Sequence, residues 1–299
     1  MRRESKFGDS FPPRSVAIVG VSRKEHMSVP GYTGSHMFRI LREAGFQGRI
    51  YPVNPKADAI DGVKAYPSVT AIPERTDLVI VGTPAATVPQ VLEDCAAAGV
   101  PVVQILASGF GETGEEEGKR LEAAILEIAQ RTGLRIIGPN CMGFHIPAVK
   151  MRMFEEAEVV PGPVAFVSQS GGHAQVFLMQ GPHLGIGFSK VISYGNALVM
   201  DAIDFLDYLA GDDETRIICM YLEGVRKDGG ELMQLVRRTN AKKPVVVWKG
   251  GLTHSGARAA SSHTGSLAGD RQVWDAFFKQ TGAISAVGID EMIDLMKDR

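Results

Sequence analysis

The sequence predicts an α/β protein made of two successive open parallel sheets with helices on both faces. Short apolar segments alternate with helix-like segments in two series, and a proline-rich stretch separates the series. In addition, VAIVG, LVIVG and VVQIL are continuous apolar runs, as expected for strands that are buried on both faces. The 299 residues suffice for two domains, which we place at residues 1–146 and 147–299.

The first series contains five apolar segments of strand length. Its clearest helix runs from Glu115 to Thr132, where Leu121, Ile125 and Ile128 follow the spacing of one buried face. Glutamates at its start favour the positive end of the helix dipole, and Gly133 is suited to end it. The predicted strands are Ser15–Val19, Arg49–Val53, Leu78–Val81, Val102–Leu106 and Arg135–Ile137.

The second series follows the stretch from Ile146 to Gly162. Prolines and mixed charges in this stretch indicate a connection between domains. Beyond it, helices are predicted near Met200–Leu209 and Glu231–Thr239. The strands predicted to alternate with them are Val164–Val167, Ser189–Ser193, Ile217–Leu222 and Val245–Trp248.

The composition limits the kinds of partner that we expect. The formal net charge is -2, and lysines and arginines are scattered, so no basic field favours nucleic acid or an anionic membrane. No run of about 18 apolar residues, the length of a membrane span, occurs. The three cysteines match neither a metal motif nor a disulfide framework. We therefore expect a cytoplasmic protein without a protein-bound metal, whose partners are small molecules or another protein.

The turn after the first strand, Gly20-Val21-Ser22, has the composition of a phosphate-binding turn. A glycine between a parallel strand and a helix exposes backbone N–H groups at the positive end of the helix. The dinucleotide motif G-x-G-x-x-G is not matched, because Ser22 and Glu25 occupy two of its glycine positions. We therefore expect a nucleotide other than NAD at this turn.

Three further strand ends of the first domain carry candidate ligand-binding residues. Open α/β sheets bind ligands at the carboxyl ends of their strands. Lys56 offers a cation on a stiff turn, although a solvated surface lysine is the alternative for this residue. The candidates at these three strand ends are Lys56, then Thr83 and Pro84, then Ser108 and Gly109.

A second turn, Ser168-Gln169-Ser170-Gly171-Gly172, opens the second series. Its hydroxyls and N–H groups at a helix start suit a phosphate or an acyl phosphate. A hydrolase nucleophile elbow, G-x-S-x-G, is disfavoured because Ser168 stands where that motif has glycine. The alternative is a simple serine N-cap, which leaves the other small residues unexplained.

The segment KGGLTHSGARAASSHTGSLAGD contains the strongest candidate nucleophile, His263. A long segment of small residues without an apolar stripe is more often functional than structural. Imidazole is largely neutral at neutral pH, and a carboxylate can orient its second nitrogen. We take Glu223 as the orienting carboxylate. His173 is the main rival and His254 the second, whereas we expect His26, His36, His145 and His183 to be ordinary polar or half-buried residues.

The motifs of nearly the whole chain resemble those of the acyl-CoA synthetases (NDP-forming). ADP-forming acetate–CoA ligases are typical members, and the alpha subunit of succinyl-CoA synthetase is a more distant relative. The resemblance implies a Rossmann-like CoA-binding domain followed by a flavodoxin-like ligase domain. The motifs that carry it are VAIVGVS, YPVNPK, VVGTPA, ILASGFGE, GPNCMG, VSQSGG, SYGNALVMDAIDFLDYL, YLEGVR and SSHTGSLAGD, in this order.

The resemblance also implies roles for individual residues. His263 matches the histidine that is phosphorylated, and Glu223 matches its partner glutamate. Residues Gly20 to Ser22, Lys56, Thr83 and Pro84 match segments that contact CoA. The residues that match those around the acyl phosphate are Asn140, Ser168, Ser170, Gly171 and Gly172.

The reaction implied by the resemblance is acid + CoA + ATP ⇌ acyl-CoA + ADP + phosphate, through an acyl phosphate and a phosphohistidine. In this family the nucleotide site lies in an ATP-grasp unit, which 299 residues in two domains cannot include. The resemblance therefore implies a separate beta-type subunit that binds Mg²⁺ and ATP or ADP, in a heterodimer or heterotetramer, or that the chain is a fragment. The alternatives are a non-catalytic acyl-CoA-binding or regulatory protein and an NAD- or FMN-dependent oxidoreductase.

Overall fold

A computed structural model describes residues 7, 10–22, 33–251 and 271–297 of the chain. Within these ranges the molecule consists of two sheets flanked by helices, as predicted. No helix among the described residues is long and apolar enough to cross a membrane. The three cysteines are free and buried.

The first sheet has five parallel strands in the order β2-β1-β5-β6-β7. All five were predicted, and only β6 ends one residue before the predicted limit, Leu106. A short antiparallel pair, β3 and β4, follows β2 and was not predicted. The strands are β1 (Ser15–Val19), β2 (Arg49–Val53), β3 (Ala59–Ile60), β4 (Val63–Lys64), β5 (Leu78–Val81), β6 (Val102–Ile105) and β7 (Arg135–Ile137).

Helices cover both faces of the first sheet. The helices are α1 (Gly34–Glu43) on one face and α2 (Val88–Ala97) and α3 (Glu116–Thr132) on the other. The predicted helix Glu115–Thr132 is confirmed as α3, for which Glu115 is the N-cap and Gly133, with φ 73°, is the left-handed C-cap.

The second sheet has six strands in the order β13-β12-β11-β9-β10-β8. The four predicted strands are confirmed as β9 to β12, all parallel to one another. Strand β13 continues the parallel part of the sheet. The strands are β8 (Gly143–His145), β9 (Pro161–Ser168), β10 (Phe188–Ser193), β11 (Ile217–Leu222), β12 (Val245–Lys249) and β13 (Ile284–Ala286).

Strand β8 departs from the predicted parallel order. It pairs antiparallel with β10, with His145 opposite Val191 and Gly143 opposite Ser193. Its three residues form no apolar run, which is why the sequence did not reveal it. His145 is completely buried and not half-buried as predicted. The chain thus enters the second sheet before residue 146, and the division at residues 146 and 147 stays a prediction.

Helices also cover both faces of the second sheet. The two predicted helices are confirmed as α5 and α6, although α5 begins after Met200 because Asp201 and Asp204 form a capping box at its start. The helices are α4 (Gly171–His183), α5 (Ala202–Ala210), α6 (Gly229–Asn240), α7 (Arg271–Thr281) and α8 (Ile289–Lys297). Helices α4 and α8 pack on one face, and the other three pack on the opposite face.

The two domains share a hydrophobic core. One cluster of buried side chains includes Val16 and Ile18 of β1 together with Val167 of β9 and Ile218 of β11. Phe7 joins this cluster and is completely buried, with its ring centroid 5.9 Å from that of Phe205 on α5. Because the same core includes residues of both sheets, the relative position of the domains is fixed by packing.

The edges at which the parallel strands end, called here the carboxyl edges, face one another. Backbone hydrogen bonds join the segment after β7 to the segment after β10: Asn196 N to Pro139 O (3.0 Å) and Leu198 N to Gly138 O (3.1 Å). A third joins Met200 N to Ile136 O at 3.1 Å. Residues at the strand ends of both domains are therefore brought to one region, which is where open α/β sheets bind ligands.

Candidate functional site

The turn after β1 lies in direct backbone contact with two other segments. A methyl group on Gly82, after β5, would come within 2.2 Å of the Gly34 nitrogen at the start of α1. One on Gly20, whose φ is +93°, would come within 2.7 Å of the Gly82 oxygen. Glycine is therefore required at these positions by close approach and by backbone conformation. Val21 in this turn is buried.

Asn54 joins the first two turns of this edge. Its Nδ2 donates to the backbone oxygen of Val21 at 2.6 Å, and its Oδ1 accepts from the backbone nitrogen of Lys56 at 2.7 Å. The side chain of Lys56 is exposed. Ser22 N donates to Oγ of Ser35 on α1 at 2.8 Å, which draws the first turn onto the helix. The structure thus brings together the predicted residues of the first two strand ends, through an asparagine that was not among the predicted site residues.

The strand end after β5 is also at the surface of this edge. Thr83 is half-buried and Pro84 is exposed. Oγ1 of Thr87 donates to Oγ1 of Thr83 at 2.9 Å and lies 2.8 Å from the backbone oxygen of Pro84. This places both predicted residues beside Gly20, because Gly20 packs on Gly82 and on the Thr83 side chain.

The strand end after β6 has its backbone N–H groups bonded to a side chain of the same loop. Gly109 N donates to Oε1 of Glu112 at 2.7 Å, and Phe110 N lies 3.2 Å from each oxygen of the same carboxylate. The Glu112 carboxylate therefore occupies both of these N–H groups. Ser108 is exposed at the same edge. Glu112 is a residue that the sequence analysis missed.

Asn140 lies where the two carboxyl edges meet. It has a φ of +56°, in the left-handed region that asparagine tolerates better than most residues. Its backbone nitrogen donates to Ala107 O at 2.9 Å, and its Nδ2 donates to Oδ1 of Asn196 at 3.4 Å. Nδ2 of Asn196 donates to Glu112 at 2.6 Å, so both polar atoms of the Asn196 side chain bind residues of the first domain.

The turn after β9 forms the N-terminus of α4. Oγ of Ser168 donates to the Ser170 oxygen at 2.7 Å and accepts from the Ser170 nitrogen at 3.1 Å, so this buried hydroxyl closes the turn. Oγ of Ser170 caps the helix by accepting from His173 N at 3.3 Å. Gly171 is half-buried and Gly172 is exposed at the positive end of the helix dipole. This end of α4 has the geometry of an anion site.

Glu223, directly after β11, is a buried carboxylate with one unpartnered oxygen. The residue is only 4% exposed, and Oε1 accepts from the Tyr221 hydroxyl at 3.2 Å. Oε2 has no hydrogen-bond partner among the residues that the structure describes. Gln169 fixes the backbone, because its Oε1 accepts from Glu223 N and from Gly224 N, the latter at 3.0 Å. The turn before α4 and the carboxylate after β11 are therefore one unit.

Lys249 connects this unit to the start of the histidine segment. Its Nζ donates to Glu223 O at 2.9 Å and also to Gly250 O. Burial lowers the pKa of Lys249 to about 8, against the opposing effect of the Glu223 charge. A methyl group on Gly250 would come within 2.6 Å of the Tyr221 hydroxyl. The chain therefore leaves the second sheet packed against the Tyr221–Glu223 pair.

His173, the main rival for the catalytic histidine, belongs to an aromatic cluster. Its ring lies 4.3 Å from the Tyr221 ring and 4.5 Å from the Trp248 ring. His263, His254 and His26 lie outside the described residues. Within the described ranges, no group of three His, Cys, Asp or Glu side chains is arranged to hold a metal ion.

Two family models match successive parts of the chain. A family model described as a CoA binding domain matches residues 14–147. A second, described as a succinyl-CoA ligase like flavodoxin domain, matches residues 161–297. Together the two matches span both sheets, and they agree with the predicted fold class.

Curated relatives match almost the whole chain. The alpha subunit of ADP-forming acetate–CoA ligase I from Pyrococcus furiosus is 43% identical over 289 residues, which cover 95% of this chain and 61% of that protein. The ADP-forming 4-hydroxybutyrate–CoA ligase of Nitrosopumilus maritimus is 37% identical over 287 residues, covering 94% of this chain and 40% of that protein. A trans-feruloyl-CoA synthase is 31% identical over 289 residues, covering 95% and 40%. The chain thus spans less than two thirds of these relatives.

A solved structure confirms the arrangement of both domains. The dinucleotide-forming acetyl-coenzyme A synthetase 1 of Ca. Korarchaeum cryptofilum, in complex with phosphate and ADP, superposes with a TM-score of 0.86 and is 35% identical. The match covers 94% of this chain and 60% of that chain. An ATP citrate lyase of Methanosaeta concilii shares the fold. It is 17% identical, with a TM-score of 0.70, and the match covers 95% of this chain and 49% of that chain.

Proposed function

Because the chain belongs to the family of NDP-forming acyl-CoA synthetases, we propose that it is an alpha-type subunit that interconverts acid, CoA and ATP with acyl-CoA, ADP and phosphate. In the direction of ATP formation, phosphate attacks the thioester carbonyl and the CoA thiolate leaves. An imidazole nitrogen of His263 then attacks the phosphorus of the acyl phosphate, and the carboxylate leaves. ADP finally takes the phosphoryl group from His263.

The observation that carries this proposal is the unpartnered Oε2 of buried Glu223. A buried carboxylate oxygen without a partner costs free energy, so its retention indicates a partner that is present only during part of a cycle. The histidine segment begins just beyond Gly250, which Lys249 ties to Glu223. We propose that Oε2 orients the imidazole of His263 and stabilises its charge on phosphorylation. A protein that only binds acyl-CoA has no use for this carboxylate.

The N-terminus of α4 supplies the second part of the proposed chemistry. Phosphoryl oxygens carry negative charge throughout the transfers, and the positive helix end at Ser170 to Gly172 stabilises such charge without reorganisation. Ser170, Gly171 and Gly172 are the proposed contacts. Ser168 shapes the turn from within, and Asn140 faces the same region from the first domain.

The carboxyl edge of the first sheet is the proposed CoA site. The turn at Gly20 to Ser22 and the exposed residues Lys56 and Pro84 lie along one side of this edge, and Thr83 and Ser108 lie beside them. Lys56 supplies a cation for a CoA phosphate. Gly109 contributes shape and no N–H donor, because its N–H group is bonded to Glu112.

The nucleotide requires a partner in this proposal. P. furiosus has relatives named as alpha subunits of ADP-forming ligases, and such a name implies another subunit. We propose that an ATP-grasp beta-type subunit binds Mg²⁺ and ATP or ADP and completes a heterodimer or heterotetramer. In this arrangement His263 is phosphorylated from either side, by the acyl phosphate or by ATP.

Two labelling routes test the proposal. In the first, the chain receives [³²P]phosphate and a panel of acetyl-CoA, 4-hydroxybutyryl-CoA and feruloyl-CoA. In the second, it receives [γ-³²P]ATP, Mg²⁺ and an ATP-grasp beta-type subunit. We expect acid-labile, base-stable phosphate on the chain by both routes, and none on His263→Ala.

His183→Ala is the matched control, because His183 is exposed at the far end of α4. This variant should take up label as the wild-type chain does. Label that persists on His263→Ala would contradict the assignment of the nucleophile. A wild-type chain that remains unlabelled by both routes would contradict the proposed function.

A further inference from the structure

One carboxylate binds groups of both domains at the seam between the carboxyl edges. Glu112, in the loop after β6, accepts from Gly109 N and Phe110 N in its own domain. It also accepts from Nδ2 of Asn196 in the second domain at 2.6 Å. A hydrogen bond to an ionised acceptor is roughly twice as strong as a neutral one. Glu112 therefore connects the loop of the proposed CoA site directly to the second sheet.

Asn196 has almost no freedom to move. It is 2% exposed, its backbone nitrogen donates to Pro139 O at 3.0 Å, and its Oδ1 accepts from Nδ2 of Asn140. The preceding Gly195 has a φ of +57°, and a methyl group there would come within 2.2 Å of the Asn140 oxygen. The backbones of the two segments are thus in contact, and the Asn196 amide has a fixed orientation.

A second pair crosses the same seam. Arg226, after β11, lies 4.0 Å from a carboxylate oxygen of Glu122 on α3. Burial raises the pKa of Glu122, and the nearby Glu112 charge raises it further, whereas Arg226 opposes both effects. The loop and helix after β6 therefore contact two segments of the second domain. One is the segment after β10, which contains Asn196, and the other is the segment after β11, which contains Glu223 and Arg226.

We propose that Glu112 and Asn196 are positioning residues that align the loop at Ser108 to Phe110 with Asn140, and so align the CoA thioester with the phosphate at the α4 turn. This inference rests on the proposed function. Phosphate attack on the thioester requires reactants from two domains to be in register, and misalignment by about 1 Å can cost about 100-fold in rate. Phosphoryl transfer from ATP to His263 does not depend on the alignment of the thioester with the phosphate.

The two labelling routes separate a positioning role from a general structural one. Asn196→Asp removes the donor and sets two carboxylates against one another. We expect label from acyl-CoA and phosphate to appear about 10-fold more slowly or worse, because like charges in close contact repel and push the loop away from Asn196. Label from ATP and the beta-type subunit should appear at the wild-type rate. A structural defect would slow both routes.

The double variant Glu112→Gln/Asn196→Asp supplies the rescue. Oε1 of the introduced glutamine can still accept from Gly109 N, and its amide can donate to the new aspartate, which can still accept from Asn140. The acyl-CoA route should recover to within about 3-fold of the wild-type rate. The Kd for desulfo-CoA should stay within about 2-fold for Asn196→Asp, because this substitution changes no residue of the proposed CoA site.

Asn240→Asp is the control for an asparagine substitution that only destabilises. Nδ2 of Asn240 donates to Gly282 O at 2.8 Å, near the start of β12 and away from the carboxyl edge. This variant should lower the Tm and leave both routes at the wild-type rate. The inference is overturned if Asn196→Asp slows both routes equally, slows neither, or is not rescued. An unlabelled wild-type chain overturns the proposed function as well, which distinguishes the two failures.

Discussion

The carboxyl edges of the two sheets differ in the groups that they present and in how firmly those groups are held. The first edge presents backbone and exposed side chains, and its tight feature is the contact among Gly20, Gly34 and Gly82. The second edge holds side chains that are buried and already oriented, above all Glu223 with Tyr221. A backbone surface suits the binding of a large ligand, whereas a fixed carboxylate suits chemistry on a small group.

This difference has a consequence for where substitutions act. Changes at the first edge should alter the affinity for CoA, because they change shape. Changes at the second edge should alter the rate of phosphoryl transfer and leave CoA affinity unchanged. The first three of the four predictions that follow test this division, and the fourth concerns the stability of the second sheet; they are given from the largest expected effect to the smallest.

Glu223→Gln should slow phosphorylation of His263 by about 100-fold by both labelling routes. The amide keeps the size of the side chain and loses the charge that would stabilise the imidazole. The Kd for CoA should be unchanged. Glu93→Gln, which alters an exposed glutamate paired with Arg131, should have no effect on either quantity. Equal rates for the Glu223→Gln and wild-type chains would contradict the proposed role of the second edge in phosphoryl transfer.

Gly82→Ala should weaken CoA binding about 10-fold. The added methyl group would lie 2.2 Å from the Gly34 nitrogen, so the turn or the start of α1 must shift, at a cost of about 1–3 kcal/mol in the free energy of unfolding. Isothermal titration with CoA and urea unfolding measure the two effects. Gly229→Ala is the control, because nothing lies within 4 Å of its added methyl group. An unchanged Kd for Gly82→Ala would show that the glycine contact does not shape the CoA site.

Tyr221→Phe should slow both labelling routes by roughly 3- to 10-fold, the equivalent of one hydrogen bond to Glu223. Tyr194→Phe is a matched control, because Tyr194 is completely buried and its hydroxyl has no hydrogen-bond partner among the described residues. Removing that hydroxyl should leave the rates unchanged. If both variants behave alike, orientation of Glu223 by Tyr221 is not what sets the rate.

His145→Leu should change the pH dependence of stability and leave activity unaltered. Burial lowers the pKa of His145 to about 4, from 6.5. The unfolded chain therefore takes up this proton at a higher pH than the folded chain, so stability falls as the pH drops from about 6.5 towards 4. Without the ring, the loss of unfolding free energy between pH 7 and pH 5 should be smaller by about 2 kcal/mol.

Urea unfolding at the two pH values measures this difference. His183→Leu alters an exposed histidine and should lose as much unfolding free energy between pH 7 and pH 5 as the wild-type chain. If His145→Leu loses as much unfolding free energy between pH 7 and pH 5 as the wild-type chain does, other groups are responsible for the pH dependence.

The sequence was sufficient for those features that depend on local pattern. Val102 to Ile105 is an apolar run and forms β6, and Glu116 to Thr132 follows a helical stripe and forms α3. Residues next to strand ends, such as Lys56 and Glu223, were located because the carboxyl ends of parallel strands share one edge. The family motifs likewise contain residues at the carboxyl edge of each sheet, and their role in binding stays a prediction.

The features that the sequence did not predict depend on contacts between distant segments. Glu112 and Asn196 are 84 positions apart, and no pattern around either residue indicates the other. Gln169 holds Glu223 only because β9 lies beside β11 in the sheet, an order that the chain order does not reveal. Strand β8 is defined by its antiparallel pairing with β10 and not by its own three residues.

Strand β8 has a consequence for how this molecule can be divided or recombined. Its hydrogen bonds with Val191 to Ser193 cover an edge of the second sheet that would otherwise expose unpaired backbone groups. A fragment that starts at residue 147 would present that row to other chains, and we expect it to aggregate through strand addition. Chimaeras between relatives should therefore exchange the block from β1 to α8 as a whole.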